Sequence, residues 1–167
     1  MIRNYPGVEY VITANGGAVY SVREGKRVYQ CLLEKESVEA AIAVRKRENM
    51  VLEVVIDGGP YAEEAYVKDP IQYLATEYGA KYIKATRKPV KDICRFAQKH
   101  AEELDSISFV CRYEDKERLY TSLDKEIPNI YVTSSVPNLM EVGHIDAGKG
   151  KTLLWLLKKL EISTEEA

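Results

Sequence analysis

The C-terminal part of the sequence, residues 139–160, reads LMEVGHIDAGKGKTLLWLLKKL and combines three features in a fixed order. The run Leu139–Val142 is typical of a β-strand, a glycine-rich turn carrying Lys149 follows, and an apolar helix opens near Lys151. Backbone N–H groups and the positive end of a helix dipole favour an anion at such a turn, and Lys149 adds a full positive charge. The stretch therefore predicts a site that suits phosphate.

The same turn comes close to a nucleotide-binding P-loop. Gly143, Gly148 and Lys149 match the pattern G-x-x-x-x-G-K, but Gly150 stands where a P-loop has the Ser or Thr that binds magnesium. Thr152 comes two residues too late, and only residues 161–167 remain where further strands would be needed. A degenerate P-loop nucleotide binder is therefore the weakest of the interpretations that the sequence leaves open.

Composition describes a soluble globular protein of one domain, or of one domain with part of another, in 167 residues. The formal charge of −2 gives no electrostatic reason to expect nucleic acid or an anionic membrane as partner. No run approaches the roughly 18 apolar residues of a transmembrane helix, and the N-terminus lacks the apolar core of a signal peptide. We therefore expect a cytoplasmic protein with neither nucleic acid nor a membrane as partner.

The cysteines and histidines offer little conventional chemistry. Cys31, Cys94 and Cys111 form no C-x-x-C pair, and we interpret them as small buried hydrophobic residues in a reducing compartment. His100 falls on a helix stripe and is predicted to be a half-buried packing residue. His144 lies beside Asp146, which could orient it, although no serine or cysteine is marked as its nucleophile. Two histidines without an acidic cluster argue against a zinc site.

The first half of the chain reads mainly as short strands. Two β-rich runs flank Asn15-Gly16-Gly17, a strong hairpin signal, and Ser37 is the predicted N-cap of a helix that ends near Asn49. Asp57-Gly58-Gly59-Pro60 is turn chemistry between two further strands. The predicted strands are 10–13, 18–21, 27–33, 51–56 and a run that ends at Tyr66.

A helix is predicted from Asp69, with Pro70 at its first position, Gln72 as capping-box partner and Gly79 as its end. The connector 81–89 is polar. Beyond it, the pattern predicts helices over 90–104 and 114–125 and strands over 107–112, 129–133 and 139–142. This alternation predicts an α/β (α+β) fold, a mainly antiparallel sheet with helices on one face.

Three segments in order resemble a haloacid dehalogenase-type phosphatase, in the Cof-like branch with the large α/β cap. Val11–Val19 resembles the strand-Asn-Gly segment after that family's second motif, and a cap region of similar length and order follows. Met140–Leu153 resembles the segment with the third motif, a lysine that opens a helix. The resemblance covers 9–166. It implies a core-derived β-hairpin segment over 1–34, an α/β cap domain over 35–138, and over 139–167 a return segment to a Rossmann-like core.

The resemblance also implies roles for single residues. In that family an aspartate attacks the phosphoryl group, a second aspartate is acid and base, magnesium is bound by acids, and a lysine balances the charge. By resemblance Lys149 is that lysine. The substrate of full-length relatives is a phosphorylated small molecule, and the residues that the resemblance places near it are Asn15 and Gly16 at the mouth of the site and Asp57, Gly58 and Gly59 in the cap.

The family's Asp-x-Asp motif, its second-motif Ser or Thr, and its fourth motif Gly-Asp-x-x-x-Asp are absent from the sequence. Without a nucleophile and metal-binding acids, we expect a fragment that is inactive alone. We expect no cofactor in this chain, and Mg²⁺ only in a full-length relative.

The alternative is a stand-alone α/β binding or regulatory module that forms a homodimer through its C-terminal helix. The apolar run Leu153–Leu157 motivates it, because each such side chain left exposed forgoes roughly 1.5–3 kcal/mol. We expect this helix to pack against the cap or against a second copy.

Overall fold

The computed structural model describes residues 6–165, and within them it contains two separate β-sheets and six α-helices. The strands are β1 (Tyr10–Thr13), β2 (Ala18–Ser21), β3 (Lys26–Gln30), β4 (Val51–Ile56), β5 (Gly59–Glu63), β6 (Lys88–Val90), β7 (Leu104–Val110), β8 (Ile130–Thr133) and β9 (Leu139–His144). The helices are α1 (Lys35–Glu48), α2 (Glu64–Lys68), α3 (Glu77–Thr86), α4 (Ile93–Lys99), α5 (Lys116–Glu126) and α6 (Lys149–Lys159). No helix in this part of the chain is long and apolar enough to cross a membrane.

The smaller sheet has the order β1-β2-β3 and is antiparallel throughout. Its first hairpin is confirmed, with Thr13 opposite Ala18. The connection is a short 3-10 turn in which Ala14 and Asn15 have φ of 48° and 53°. Asn tolerates this left-handed region better than most residues, which is why the Asn-Gly pair marks the turn so clearly.

The larger sheet has the order β6-β5-β4-β7-β9-β8, and only the β5–β6 pair is parallel. The predicted mainly antiparallel sheet is therefore confirmed. Asp57 and Gly58, both with positive φ, form the two-residue turn of the β4–β5 hairpin. The second strand of this hairpin ends at Glu63, so the prediction of a strand as far as Tyr66 is wrong, and Tyr66 lies in α2.

Helices cover both faces of the larger sheet, to different extents. On one face α1, α4 and α5 enclose the main core, which includes Leu52 and Val54 of β4. On the other face α2 and α3 cover a smaller cluster of Ala62, Tyr66, Ile83 and Val110. The expectation of helices on one face thus describes the main core but misses the second layer, because α2 and α3 were not recognised in the sequence.

The helix predicted from Asp69 to Gly79 is wrong. Pro70–Tyr73 make a single 3-10 turn, which Leu74 ends with a left-handed φ of 72°. The helix α3 starts later, where the Thr76 side chain accepts a hydrogen bond from the Gly79 N–H at 3.1 Å. Thr76 is therefore the working N-cap, and Gly79 lies inside the helix rather than after it. The polar connector predicted over 81–89 is consequently mostly helix and β6.

Two further helix boundaries differ from prediction. Ser37 is not an N-cap, since α1 begins at Lys35 and the buried Ser37 hydroxyl donates to the Pro128 carbonyl at 2.8 Å. The helix predicted to reach Leu104 ends at Lys99, and Leu104 opens β7. In both cases a distant segment decides the outcome, because the Ser37 hydroxyl pairs with Pro128 instead of capping α1 and Leu104 pairs within the larger sheet.

The C-terminal helix packs on the smaller sheet. Its main contacts are to β1 and the 14–16 turn, and Trp155 stacks on Tyr29 with ring centroids 4.6 Å apart. The expectation that it packs against the cap is therefore wrong. Leu156 and Leu157 are buried, whereas Leu153 and Leu154 are 44% and 55% exposed.

The strand β9 pairs with β7 and β8 and so belongs to the larger sheet. The predicted boundary at residue 139 falls where β9 begins, and the chain reaches the smaller sheet only after His144. The division into 1–34, 35–138 and 139–167 stays a prediction, although sheet membership places the second crossing between the two sheets at 145–148.

Candidate functional site

The start of α6 lies directly against the 14–16 turn. A Cβ atom added to Gly16 would fall 2.4–2.7 Å from the backbone atoms of Gly148, and the φ of Gly16 is +108°. The fully buried Thr152 hydroxyl donates to the Gly16 carbonyl at 2.7 Å. The structure thus brings Asn15 and Gly16 together with the segment that carries Lys149, although the two parts are far apart in sequence.

Lys149 is exposed at the first position of α6. Within residues 6–165 it makes no hydrogen bond or ion pair, whereas its neighbour Lys151 contacts Asp146 Oδ1 at 3.3 Å and the Ile145 carbonyl at 3.2 Å. An uncompensated ammonium at a helix N-terminus is a favourable place for an anion. The chemistry expected of Lys149 is therefore compatible with its surroundings.

Glu141 is a member of this region that the sequence predictions missed. Its Oε1 accepts a hydrogen bond from Asn15 Nδ2 at 3.4 Å, which joins β9 to the 14–16 turn. Met140 and Val142 on either side are core residues. Alternate residues of a strand face opposite sides of the sheet. A charged residue between two apolar ones in the predicted strand 139–142 could therefore have indicated that Glu141 points away from the core.

Asp57, Gly58 and Gly59 lie in the β4–β5 turn, where they serve a structural network. Arg27 donates to Asp57 Oδ1 through Nε and Nη2 at 3.1 and 2.7 Å, and the Tyr20 hydroxyl donates to the same oxygen at 2.9 Å. The Gly58 N–H donates to Asp105 Oδ2 at 2.8 Å. These contacts hold the turn against the smaller sheet.

The buried carboxylate of Asp105 is the centre of this network. Arg27 Nη1 donates to Asp105 Oδ1 at 2.9 Å, and the side chain of Asp105 is fully buried. The Asp105 carbonyl lies 3.1 Å from the position of a Cβ on Gly17. The β4–β5 turn therefore reaches the Asn15–Gly16 region only indirectly, through Asp105 and Gly17.

The charges of the network are set by opposing effects. Hydrogen bonds from Arg27 and Tyr20 lower the pKa of Asp57. Burial raises the pKa of Asp105, against the N–H of Gly58 and the charge of Arg27. Burial and the bond to Asp57 raise the pKa of Tyr20 to about 12. A tyrosine with such a pKa keeps its proton at neutral pH, so the network suits positioning rather than proton transfer.

Magnesium does not fit the side chains around Lys149. Asp146 contacts Lys151, and Glu141 accepts from Asn15. In the part of the chain that the structure describes, no group of three or more His, Cys, Asp or Glu side chains could hold a metal ion. Hard divalent cations need several oxygen ligands together, so these residues do not supply the donor set.

The two histidines have different environments. His100 packs its ring on Phe96 with centroids 4.6 Å apart and contacts Glu103 at 3.1 Å, which confirms the packing role. His144 is oriented by the backbone N–H of Asp146 rather than by its carboxylate. The sequence did not predict that Cys31 lies next to His144, but its sulfur is 3.3 Å from His144 Nδ1. Cys31 is only half-buried, so the interpretation as a buried residue holds for Cys94 and Cys111 alone.

Thr152→Val tests the contact between α6 and the 14–16 turn. The change keeps the shape but removes the hydroxyl that donates to Gly16, and we expect the free energy of unfolding to fall by about 1–2 kcal/mol. Thr121→Val is the matched control, because the exposed Thr121 hydroxyl donates only to the Glu117 carbonyl of its own helix. Urea unfolding of both variants measures the difference, and equal losses would contradict the role of the Thr152 contact.

Comparison with known proteins places the fold. Many solved structures are similar to this chain, and the three that follow cover most of it. A haloacid dehalogenase subclass IIB sugar phosphatase has a TM-score of 0.71 at 14% identity over 99% of this chain and 58% of its own. A haloacid dehalogenase-like hydrolase from Bacteroides thetaiotaomicron has 0.75 at 18%, over 94% and 56%. One from B. subtilis has 0.73 at 19%, over 96% and 62%.

The chain spans 56–62% of the length of these structures, and at such low identity the likeness shows the fold. No curated protein matches the chain at a significant level. The family model described as haloacid dehalogenase-like hydrolase matches residues 1–167. Since that match extends over the whole sequence, the chain belongs to the haloacid dehalogenase-like hydrolases.

Proposed function

We propose that this chain supplies the cap region and one wall of the active site of a Cof-like phosphatase, and that it does not hydrolyse phosphate monoesters by itself. The observation that carries the proposal is the packing of the Asn15–Gly16 turn against the start of α6, next to the free Lys149 ammonium. Lys149 would balance the charge of a phosphoryl group. The nucleophile and the magnesium ligands would come from segments outside this sequence.

A cavity on one face of the larger sheet supports a role of this domain in selecting substrates. A cavity of about 530 Å³ lies on the face that carries α2 and α3, and its lining includes Tyr66, Tyr82, Arg87 and Glu141. Glu141 is also the residue that contacts Asn15. Glu141 therefore links the cavity to the Asn15–Gly16 turn, which supports the proposal that the aromatic and charged groups of the cavity meet the non-phosphate part of a small molecule.

The activity of the isolated chain tests the proposal. With p-nitrophenyl phosphate and Mg²⁺ we expect no turnover above the rate of buffer, because the chain has no Asp-x-Asp nucleophile. Magnesium-dependent turnover that survives repeated purification would contradict the inactivity. The Lys149 role is tested separately by fusing the chain to the flanking core segments of a solved subclass IIB relative.

In an active fusion we expect Lys149→Ala to lower kcat by about a hundredfold, because it removes a charge that stabilises the transition state. Lys151→Ala is the matched control, since Lys151 is two residues away and contacts Asp146. Equal activity of the two variants would refute the assignment of Lys149.

A second function, a binding or regulatory module that dimerises through α6, is favoured by one observation. Leu153 and Leu154 of α6 are 44% and 55% exposed, and Ile145, in the turn before this helix, is 47% exposed. Light scattering of the pure chain decides the matter. A stable dimer that Leu154→Glu converts to monomer would support the module, and a monomer would exclude it.

The P-loop interpretation gains no such support. The Thr152 hydroxyl points to the Gly16 carbonyl rather than to a ligand, and Gly143 lies within β9. A nucleotide titration without binding would dismiss it.

A further inference from the structure

A cysteine, a histidine and a glutamate lie in series where the chain crosses between the two sheets. Cys31 and Glu34 lie between β3 and α1, and His144 ends β9. The Cys31 sulfur is 3.3 Å from His144 Nδ1, and His144 Nε2 is 3.4 Å from Glu34 Oε1. Asn129 Nδ2 donates to the other oxygen of Glu34 at 2.7 Å. A nucleophile, a base and a group that orients the base are thus within reach of one another.

The hydrogen-bond pattern determines which imidazole nitrogen carries the proton. The backbone N–H of Asp146 lies 3.1 Å from His144 Nδ1, and a backbone amide can only donate. In the neutral ring Nδ1 is therefore the acceptor and Nε2 carries the hydrogen, which faces the Glu34 carboxylate. The single lone pair of Nδ1 is thus shared between the Asp146 N–H and the Cys31 thiol, and the Asp146 bond has to break when Nδ1 takes the thiol proton.

We propose that Cys31 is a modification site, at which a low-molecular-weight disulfide reacts with the thiol while His144 accepts its proton. The Cys31 proton passes to His144 Nδ1 as the sulfur attacks one sulfur of the disulfide. A new S–S bond forms, the original S–S bond breaks, and the departing thiolate takes up the proton from the imidazolium. The products are a mixed disulfide on Cys31 and one free thiol, so the disulfide itself is the only oxidant.

The surroundings make the base important for this step. Burial and the Asp146 carboxylate raise the pKa of the Cys31 thiol, against Tyr29 and Lys151, so little thiolate exists before the reagent arrives. A proton acceptor beside the sulfur then contributes more than it would for a thiol that is already ionised. The other two cysteines are buried, and among the described residues neither makes a hydrogen bond to a histidine.

The test uses the whole chain and dithiodipyridine, with mass spectrometry of the peptides to follow each cysteine. In the native protein we expect Cys31 to react first, about tenfold or more faster than Cys94 and Cys111. We expect His144→Gln to lower the rate at Cys31 about tenfold, and Glu34→Gln to lower it less, because Glu34 acts only through the imidazole. His100→Gln is the matched control and should leave the rate unchanged, since the His100 ring packs on Phe96 and its Nδ1 contacts Glu103 rather than Cys31.

Cys94 and Cys111 report on folding in the same sample, because both become reactive if a variant unfolds. Native Cys31 that reacts no faster than these two cysteines would overturn the proposal. A folded His144→Gln chain that retains the native rate at Cys31 would overturn it as well. If His144→Gln unfolds, the native rates and the Glu34→Gln rate decide, and an unchanged rate in Glu34→Gln counts against the assigned geometry.

Discussion

Gly16→Ala should lower the free energy of unfolding by about 3 kcal/mol or more, through overpacking and backbone strain together. A Cβ at this position would lie 2.4–2.7 Å from three backbone atoms of Gly148, and backbone cannot move aside as a flexible side chain can. The φ of +108° is also outside the range that L-residues adopt readily. Relief requires α6 to separate from the turn, which would also weaken the Thr152 bond.

Gly25→Ala separates the two causes. Gly25 also has a positive φ, of +65°, but nothing lies within 4 Å of its Cβ position. We expect this control to cost about 1 kcal/mol, from backbone conformation alone. Urea unfolding followed by circular dichroism gives both values. Equal losses in the two variants would show that the close approach of Gly16 to Gly148 does not stabilise the fold.

Local chemistry predicted those elements whose signals lie within a few residues. The Asn15-Gly16 hairpin and the strand–turn–helix around Lys149 are found where the sequence placed them, because turn residues and a helix start depend on their neighbours. The helix predicted from Asp69 to Gly79 is not found, because a prediction from neighbouring residues alone took Asp69 and Pro70 as the start of the helix. The start predicted at Asp69 and Pro70 lies close to the observed N-cap Thr76, and the sequence alone does not show that the left-handed Leu74 separates them.

The candidate site was predictable only in its parts. Asn15, Gly16 and Lys149 were each marked by residue type or by resemblance, but the contact of Gly16 with Thr152 that joins their two segments spans 136 positions. The Asn15–Glu141 bond spans 126 positions and the Arg27–Asp105 bond spans 78. Such pairs are created by tertiary packing. The assignment of Asp57 to substrate by resemblance stays a prediction, and the sequence alone did not show that its carboxylate accepts bonds from Arg27 and Tyr20.

Arg27→Met should lower the free energy of unfolding by about 3–5 kcal/mol at neutral pH, because it leaves the Asp105 charge buried without its partner. The Asp105 side chain is fully buried and that of Arg27 is only 16% exposed, so water cannot replace the lost contact. The bond to Asp57 adds little to this figure, since the Asp57 side chain is 71% exposed. Arg47→Met is the surface control and should change little, because Arg47 and Glu126 are 50% and 40% exposed and Glu48 keeps its ion pair with Arg118.

The pH dependence identifies the buried charge as the cause. Burial already raises the pKa of Asp105 above its ordinary value, and removal of Arg27 should raise it further. A carboxyl whose pKa is higher in the folded state contributes stability below its unfolded pKa and loses that contribution as the pH rises through the folded pKa. The deficit of Arg27→Met relative to wild type should therefore shrink as the pH falls, measured by urea unfolding at several pH values.

A second substitution removes the charge itself. In the Arg27→Met background we expect Asp105→Asn to restore part of the stability at neutral pH, because an amide oxygen can still accept from the Gly58 N–H without carrying a charge. The double variant should also lose the pH dependence, since no titrating group remains at this position. A double variant no more stable than Arg27→Met would show that the loss arises from packing of the arginine side chain rather than from the unpaired carboxylate.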